Sequence, residues 1–112
     1  MDTELGTSLL HISYTGRPPG LRLAGDIDVT TGPVLARALA QVLARSQGDV
    51  HADLSQLEFI DVEGLRTFVT IAQSLHDGQI LTLHSPPPHL RHMIELTGWD
   101  GIPGLRLSGE PD

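Results

Sequence analysis

The chain has 112 residues, a length typical of one compact domain, and 39% of them are hydrophobic while 19% are charged. This balance excludes a disordered polyelectrolyte and a membrane-embedded protein. The formal net charge is −7, from 14 acidic residues against 7 basic ones that are all arginine, so we do not expect nucleic acid as a partner.

Two strands and a turn are predicted at the start of the chain. Residues 8–14 alternate between apolar and polar side chains, which is the period of a strand with one buried face. Residues 15–20 contain two glycines and two prolines, a composition typical of a turn that leads into an antiparallel neighbour. The second strand is predicted at residues 21–25.

A helix is predicted next, because apolar residues from Val34 to Leu43 recur at the spacing of one helix face. Pro33 suits the first helical turn, where its missing N–H costs nothing. We expect the helix to end near residues 46–48. The oxygen that caps its start is expected from Asp28, Thr30 or Thr31.

The second half of the chain continues the alternation of strands and helices. Residues 50–54 predict a short strand that ends at residues 55–56. Apolar residues from Val62 to Leu75 predict a second helix, with Gly78 as its C-terminal cap. A strand at residues 80–84, a helix at residues 90–96 that ends at Gly98, and an edge strand at residues 102–107 complete the pattern.

The predicted order of elements, β-β-α-β-α-β-α-β, belongs to the α/β class. We expect a mixed sheet that opens with an antiparallel hairpin and continues with parallel strands, because right-handed β-α-β crossovers build parallel pairs. About three to four helices should pack on it. A single domain is expected over residues 1–112, with a core at about 8–107 and flexible termini.

The most distinctive stretch begins at Asp53, where the predicted strand runs into a loop. Phe59 and Ile60 are expected to turn inward, and Asp61 is expected to cap the second helix. Gly64 is unusual there, because glycine inside a helix costs about 1 kcal/mol relative to alanine. Either another group approaches the backbone closely at Gly64, or this residue packs tightly on its own sheet.

These residues resemble the signature of the STAS domain, the fold of bacterial anti-sigma factor antagonists. The central resemblance lies in Asp53-Leu54-Ser55, Phe59-Ile60-Asp61 and Gly64-Leu65. Two supporting elements, Leu23 to Asp28 and Leu96 to Trp99, resemble the family's motifs after the second strand and after the third helix. The three elements stand in the family's order, and together they cover nearly the whole chain.

The resemblance implies that the domain binds a protein through the loop after the third strand and the exposed face of the second helix. In well-known members the partner is an anti-sigma factor that is also a serine kinase, and it phosphorylates the Ser or Thr directly after the motif aspartate. Val62 stands at that position here and has no hydroxyl group, so the regular switch is not expected. The fixed charge of Glu63 leaves two alternatives, a permanently competent antagonist or a surface that partly imitates the phosphorylated state.

The expected partner contacts are the residues that match the family's binding region. They are Asp28, Phe59, Asp61, Val62, Glu63, Gly64, Arg66, Thr67 and Thr70, and Gln73 and Ser74 continue the same helix face. The competing interpretation is structural, with Asp28 and Asp61 as helix caps and the helix face as an ordinary solvated surface. A displaced phosphoacceptor would have to come from the nearby hydroxyls of Thr30, Thr31, Ser55, Thr67 and Thr70.

We therefore expect a protein-binding regulator similar to an anti-sigma factor antagonist, which binds an anti-sigma factor of the serine-kinase type or another signalling protein and controls sigma-dependent transcription. The alternative is a sensor or scaffold module of the same fold that self-associates as a homodimer or holds a small ligand within a larger complex. The acidic N-terminus and the lack of a run of about 20 apolar residues predict a cytoplasmic protein without a membrane segment.

Catalysis and cofactor binding are not expected. The sequence has no cysteine, no Gly-x-Ser-x-Gly elbow and no lysine-containing phosphate loop. His84, His89 and His92 are close enough in sequence to suggest zinc or nickel, but no carboxylate stands near them at a recognised spacing. We therefore predict no metal, no cofactor and no catalytic residue.

Overall fold

The computed structural model describes residues 5–6, 9–16, 19–46, 48–75 and 78–109. Each predicted strand and helix is present, and two short elements are added, a two-residue strand at the start and one turn of 3-10 helix near the end. The strands are β1 (Leu5–Gly6), β2 (Leu10–Gly16), β3 (Pro19–Ile27), β4 (Val50–Ile60), β5 (Leu81–His84) and β6 (Leu105–Ser108). The helices are α1 (Gly32–Arg45), α2 (Val62–Gln73) and α3 (Pro88–Thr97), and the 3-10 turn is Trp99–Gly101.

The strands form one mixed sheet in the sequential order β1 to β6. β2 runs antiparallel to both of its neighbours, β1 and β3, and the strands from β3 to β6 pair in parallel. A helix connects each parallel pair, and α2 contacts both α1 and α3, so the three helices cover the same face of the sheet. The predicted fold class is confirmed.

The hydrophobic core lies between this helical layer and the sheet. Phe68 of α2 is its largest fully buried side chain, and alternate residues of the strands, such as Leu21, Leu23, Leu81 and Leu83, point into it. The apolar faces that the strand and helix periodicities predict therefore pack against each other in one layer. Among the described residues, no helix is long and apolar enough to cross a membrane.

Two predicted boundaries are wrong. Strand β4 does not end at residues 55–56 but runs on to Ile60, because its second half pairs with β3 through a register that shifts at two places. Gly25, at φ +102°, lies at one of these irregularities, where a left-handed backbone favours glycine. Helix α2 ends at Gln73, with Ser74 as its cap, so Gly78 is not the cap.

The remaining predicted ends lie close to the observed ones. Gly98 caps α3 in the left-handed conformation, at φ +78°, as predicted. Of the residues predicted to form flexible termini, 1–7 and 108–112, Leu5–Gly6 form β1 and Ser108 ends β6, while 1–4, 7 and 110–112 lie outside the described residues.

The sheet face opposite the helices is polar in the part of the chain that the structure describes. Two histidines meet there, with His51 Nδ1 of β4 lying 2.7 Å from His84 Nε2 of β5 and the rings stacked at 4.9 Å. The pKa of His51 lies below its ordinary value of 6.5, because burial disfavours the charged ring and His84 repels it, while Asp49 offsets part of this effect.

We expect the His51 pair to make folding less favourable as the pH falls. Because the pKa of His51 is lowered in the folded state, the unfolded chain takes up protons first, so stability should decrease as the pH falls from about 7 towards the lowered pKa of His51 and be unaffected by this residue above that range. Thermal melts of His51→Gln should show a flatter dependence over this interval than wild type. The matched variant His89→Gln, exposed on α3, should keep the wild-type slope. Equal slopes in wild type and His51→Gln would contradict the expectation.

Candidate functional site

The parallel pairing of β3 and β4 brings two aspartates to one edge of the sheet. Asp28 directly follows β3, and Asp61 directly follows β4. The N–H of Asp61 donates to the carbonyl oxygen of Ile27 at 3.2 Å, which ties the ends of the two strands together. Helices α1 and α2 both begin at this carboxyl edge, so Asp28 and Asp61, which belong to two different motifs, lie at the same edge although they are distant in sequence.

Asp61 is the N-cap of α2, as predicted. Its backbone is extended, and its Oδ1 accepts a hydrogen bond from the N–H of Gly64 at 2.8 Å. This bond satisfies one of the first N–H groups of the helix, which have no partner within it. Glu63 lies in the first turn, where a negative charge is favoured by the helix dipole.

Removing this cap should cost stability without changing the fold. Replacement of Ser, Thr, Asn or Asp N-caps by alanine costs about 1 kcal/mol, so Asp61→Ala should lower the free energy of unfolding by about that amount in a urea titration. Asp61→Asn keeps an acceptor oxygen and should retain most of the stability. Asp100→Ala, at an exposed carboxylate of the 3-10 turn, is the matched control. A loss no larger than that of Asp100→Ala would show that the cap is not formed.

Gly64 packs α2 directly onto the sheet. A Cβ atom added there would lie 2.7 Å from Ile27 Cγ2, 2.8 Å from the Ile27 carbonyl oxygen and 3.0 Å from Ile60 Cγ1. Of the two alternatives that the sequence left open, the second is therefore correct. Because Gly64 is buried, the structure gives it a packing role beneath the surface.

The turn after β3 is held by Asp28. Its Oδ1 accepts hydrogen bonds from the N–H groups of Thr30, at 2.9 Å, and Thr31, at 3.1 Å. The hydroxyl of Thr31 accepts from the N–H of Asp28 and donates to the carbonyl oxygen of Asp26. Thr31 is the N-cap residue of α1, but no side-chain oxygen caps that helix. Asp28 therefore shapes the approach to α1 and does not cap it.

A shallow groove runs between α1 and α2 from this turn. It consists of two adjoining cavities of about 300 Å³ and about 220 Å³ that share Ala36, Glu63 and Thr67. Asp28 borders the first cavity, and Arg66 and Thr70 border the second. The groove thus brings together five of the residues predicted to contact a partner: Asp28, Glu63, Arg66, Thr67 and Thr70.

Apolar side chains are exposed beside the groove. Val62, the first residue of α2, is 41% exposed, and Val29, in the turn between Asp28 and Thr30, is 70% exposed. Val29 was not predicted as a site residue, although an apolar residue between turn-forming polar ones is a signal that could have indicated it. We call the set Asp28, Val29, Val62, Glu63, Arg66, Thr67 and Thr70 the edge surface.

Arg66 connects the edge surface to the end of α3. Its Nε lies 3.5 Å from Glu63 Oε1, and its Cζ lies 5.4 Å from the centroid of the Trp99 ring. Both contacts are typical of a partly exposed arginine held in place by a carboxylate and an aromatic face. The negative charge of Glu63 is therefore partly compensated in this conformation, which makes it a poorer imitation of a phosphate group.

Two expectations about Phe59 require correction. It does not turn inward with Ile60, because it is 46% exposed while Ile60 is buried. Its ring lies 6.5 Å from the ring of His89, at the start of α3. The prediction of a binding loop from Phe59 to Gly64 is also wrong. Phe59 lies within β4, only Asp61 separates β4 from α2, and α2 begins at Val62.

The three histidines considered for a metal site do not converge. His84 pairs with His51 on the sheet face, and His89 lies beside Phe59 on α3. Within the described ranges, no group of three or more His, Asp or Glu side chains is placed to hold a metal ion.

Comparison with known proteins identifies the family. The family model described as "Mlab, STAS domain" matches residues 10–108. The chain is also similar in structure to an anti-sigma factor antagonist from Mycobacterium paratuberculosis, with a TM-score of 0.78 and 26% sequence identity over 91% of this chain and 90% of that one. Among curated proteins, no sequence matches this chain significantly. The family match spans nearly the whole described fold, and the chain therefore belongs to the STAS domain family.

Proposed function

We propose that this chain is an anti-sigma factor antagonist that binds its anti-sigma factor through the edge surface and so controls sigma-dependent transcription. The observation that carries the proposal is that five predicted partner contacts lie together along one groove, in a fold similar to that of a known antagonist. They are Asp28, Glu63, Arg66, Thr67 and Thr70. The role requires no catalysis by this chain, and it is exercised in the cytoplasm, where sigma factors act.

The chemistry of the edge surface suggests how a partner binds. Val29 and Val62 supply exposed apolar area, while Asp28 and Glu63 place acidic groups beside it. Apolar centres with charged rims are typical of protein interfaces, where the apolar part supplies affinity and the charges supply specificity. The complementary partner surface is apolar with basic residues at its rim.

The same surface supports a complex that phosphorylation does not dissolve. Val62 offers no hydroxyl at the position where the family resemblance places the phosphoacceptor. Among the candidate replacement hydroxyls, that of Thr31 is fully buried and already bonded, so a kinase cannot reach it in the folded protein. A phosphate would otherwise add nearly two negative charges within the interface. The antagonist proposed here stays competent to bind.

The absence of the acceptor hydroxyl also favours a second candidate function. A STAS module that belongs to a stable assembly, with itself or with another signalling protein, has no need of a switch at residue 62. The family model that matches is described as "Mlab, STAS domain", which is a different description from that of the antagonist matched by structure. This candidate predicts a stable complex with a partner other than an anti-sigma factor.

A binding footprint tests the proposal. The isotope-labelled chain is titrated with purified candidate anti-sigma factors while amide shifts are followed by NMR. The proposal predicts changes concentrated at Asp28, Val29, Val62, Glu63 and Arg66, with no change at the polar sheet face opposite the helices. A footprint on that sheet face, or no binding to any candidate, would contradict it. Self-association measured in the same samples would favour the second candidate.

A further inference from the structure

The polar face of the sheet carries a cleft that the proposed partner binding does not use. Its volume is about 370 Å³, and it lies on the face opposite the helices. The polar residues that line it include Arg22, His51, Asp53, Ser55, His84 and Ser85. They come from three parallel strands and the turn that follows one of them.

Strand register explains why these side chains meet. Arg22 of β3 is paired with Asp53 of β4, and Asp53 is paired in turn with His84 of β5. Residues that are directly opposite in neighbouring strands point to the same face. His51 lies two positions before Asp53, on the same face, and reaches His84 diagonally.

The protonation state of the histidine pair determines how many hydrogen-bond donors it offers to a ligand. At 2.7 Å, one N–H lies between His51 Nδ1 and His84 Nε2, so in the neutral pair only one of the two remaining ring nitrogens carries a proton. Uptake of a single proton gives both outward nitrogens an N–H and gives the pair one positive charge. The protonated pair is then a cationic unit with two donors.

Arg22 stands beside this pair. Its Nε contacts Asp53 Oδ2 at 3.4 Å, while the side chain remains more than half exposed. Burial alone would raise the pKa of Asp53, but hydrogen bonds from Ser55 and then from Arg22 hold it below its ordinary value. Asp53 thus stays ionised and orients the guanidinium at the edge of the cleft.

Ser85 closes the cleft at the end of β5 in an unusual backbone conformation. It is the one non-glycine residue with positive φ, at 55°, in the part of the chain that the structure describes. Its N–H donates to the carbonyl oxygen of Ser108 at 2.8 Å, so β6 holds this conformation in place. Left-handed residues of this kind occur often at ligand sites. The hydroxyl of Ser85 adds a further donor at the rim.

We propose that this cleft binds a small oxyanion, the carboxylate or phosphate group of a soluble metabolite, between the His51–His84 pair and Arg22. Guanidinium and imidazolium groups are the usual partners of such anions. In a chain with a net charge of −7, cationic groups gathered on one face give an anion a local site that the rest of the surface does not offer.

Binding should be linked to proton uptake. The charged groups that face the pair are Asp49 and Asp53 on the side of β4, Arg22 on β3 and Arg106 on β6, the last beside Thr82 in the same sheet face. An added anion favours the protonated pair against the burial and repulsion that disfavour it. Affinity is therefore expected to rise as the pH falls through the near-neutral range, by up to about tenfold for each pH unit.

Sulfate is the first probe, because its charge stays constant over this range and any pH dependence then belongs to the protein. Titrations at constant ionic strength, balanced with chloride, are followed by amide NMR. The expected result is a saturable shift at Arg22, His51, His84 and Ser85 that strengthens as the pH falls. Shifts that grow linearly without saturation, or that are spread over the surface, would overturn the proposal. A parallel titration with oxalate compares the affinity for carboxylates with the affinity for tetrahedral oxyanions and shows which class the cleft prefers.

Variants separate this site from general charge effects. His51→Gln/His84→Gln should lose saturable sulfate binding, and Arg22→Gln, an exposed substitution that leaves the core untouched, should weaken it at least tenfold. His89→Gln, on α3, is the matched control and should bind as wild type does. Unchanged binding by Arg22→Gln would overturn the proposal even if the double histidine variant failed to fold.

Discussion

Reversing the charge pattern on the outer face of α2 is expected to weaken partner binding by about 30-fold or more, the effect of losing one interface hot spot. The variant is Arg66→Glu/Thr70→Arg, at two residues that border the second cavity of the groove. It removes the cation that Glu63 and Trp99 hold in place and puts a carboxylate next to Glu63. The new carboxylate at position 66 would repel an acidic partner group that pairs with Arg66, and the new arginine at position 70 would repel the basic rim expected of the partner.

This loss can be separated from unfolding. Arg66 and Thr70 are both exposed, and an exposed ion pair contributes about 0–1 kcal/mol, so the double variant should melt close to wild type. Arg106→Glu, an exposed charge reversal on β6, is the matched control and should bind the partner as wild type does. Affinities measured by isothermal titration decide the matter. Unchanged affinity in the double variant, or an equal loss in Arg106→Glu, would contradict the proposed surface.

The second large effect is a loss of stability expected from Gly64→Ala. A helix interior normally gains about 1 kcal/mol from this substitution. Here the new methyl group would lie within 3.0 Å of atoms of Ile27 and Ile60, one of them a backbone oxygen. Overpacking of this kind costs about 1–3 kcal/mol, so we expect a net loss of stability and a displaced α2.

Urea titration of Gly64→Ala measures this cost. Gly101→Ala provides the control, because nothing lies within 4 Å of its added Cβ and its φ is not positive. Gly32→Ala is intermediate, since its Cβ would meet only the Thr67 hydroxyl, at 3.2 Å. The expected order of stability loss is Gly64, then Gly32, then Gly101. A stabilised Gly64→Ala would show that α2 does not pack on the strand ends as described.

The sequence predicted features that depend on neighbours along the chain. The periodicity of Val34 to Leu43 indicated α1, and the Asp61 cap and the Gly98 end depend on contacts within four residues. Parallel pairing followed from the β-α-β order alone. These features need no knowledge of distant residues.

Features that depend on strand register could not be predicted in the same way. Two register shifts extend β4 and turn Phe59 outward, which alternation alone does not indicate. The His51–His84 contact joins residues 33 positions apart and exists only because β4 and β5 pair in one particular register. The groove likewise appears only when α1 and α2 lie side by side. The sequence therefore predicted several residues of the candidate site, but the shape of the site could be described only from the structure.

The central claim is that the edge surface binds an anti-sigma factor without a phosphorylation switch at residue 62. The most direct measurement mixes the purified chain with candidate kinase-type anti-sigma factors and ATP, and follows complex formation and intact mass together. The account predicts a stable complex with no gain in mass, and a Val62→Ser variant that gains one phosphoryl group and is released. A phosphoryl group on the wild-type chain, or the absence of a complex with every candidate, would contradict it.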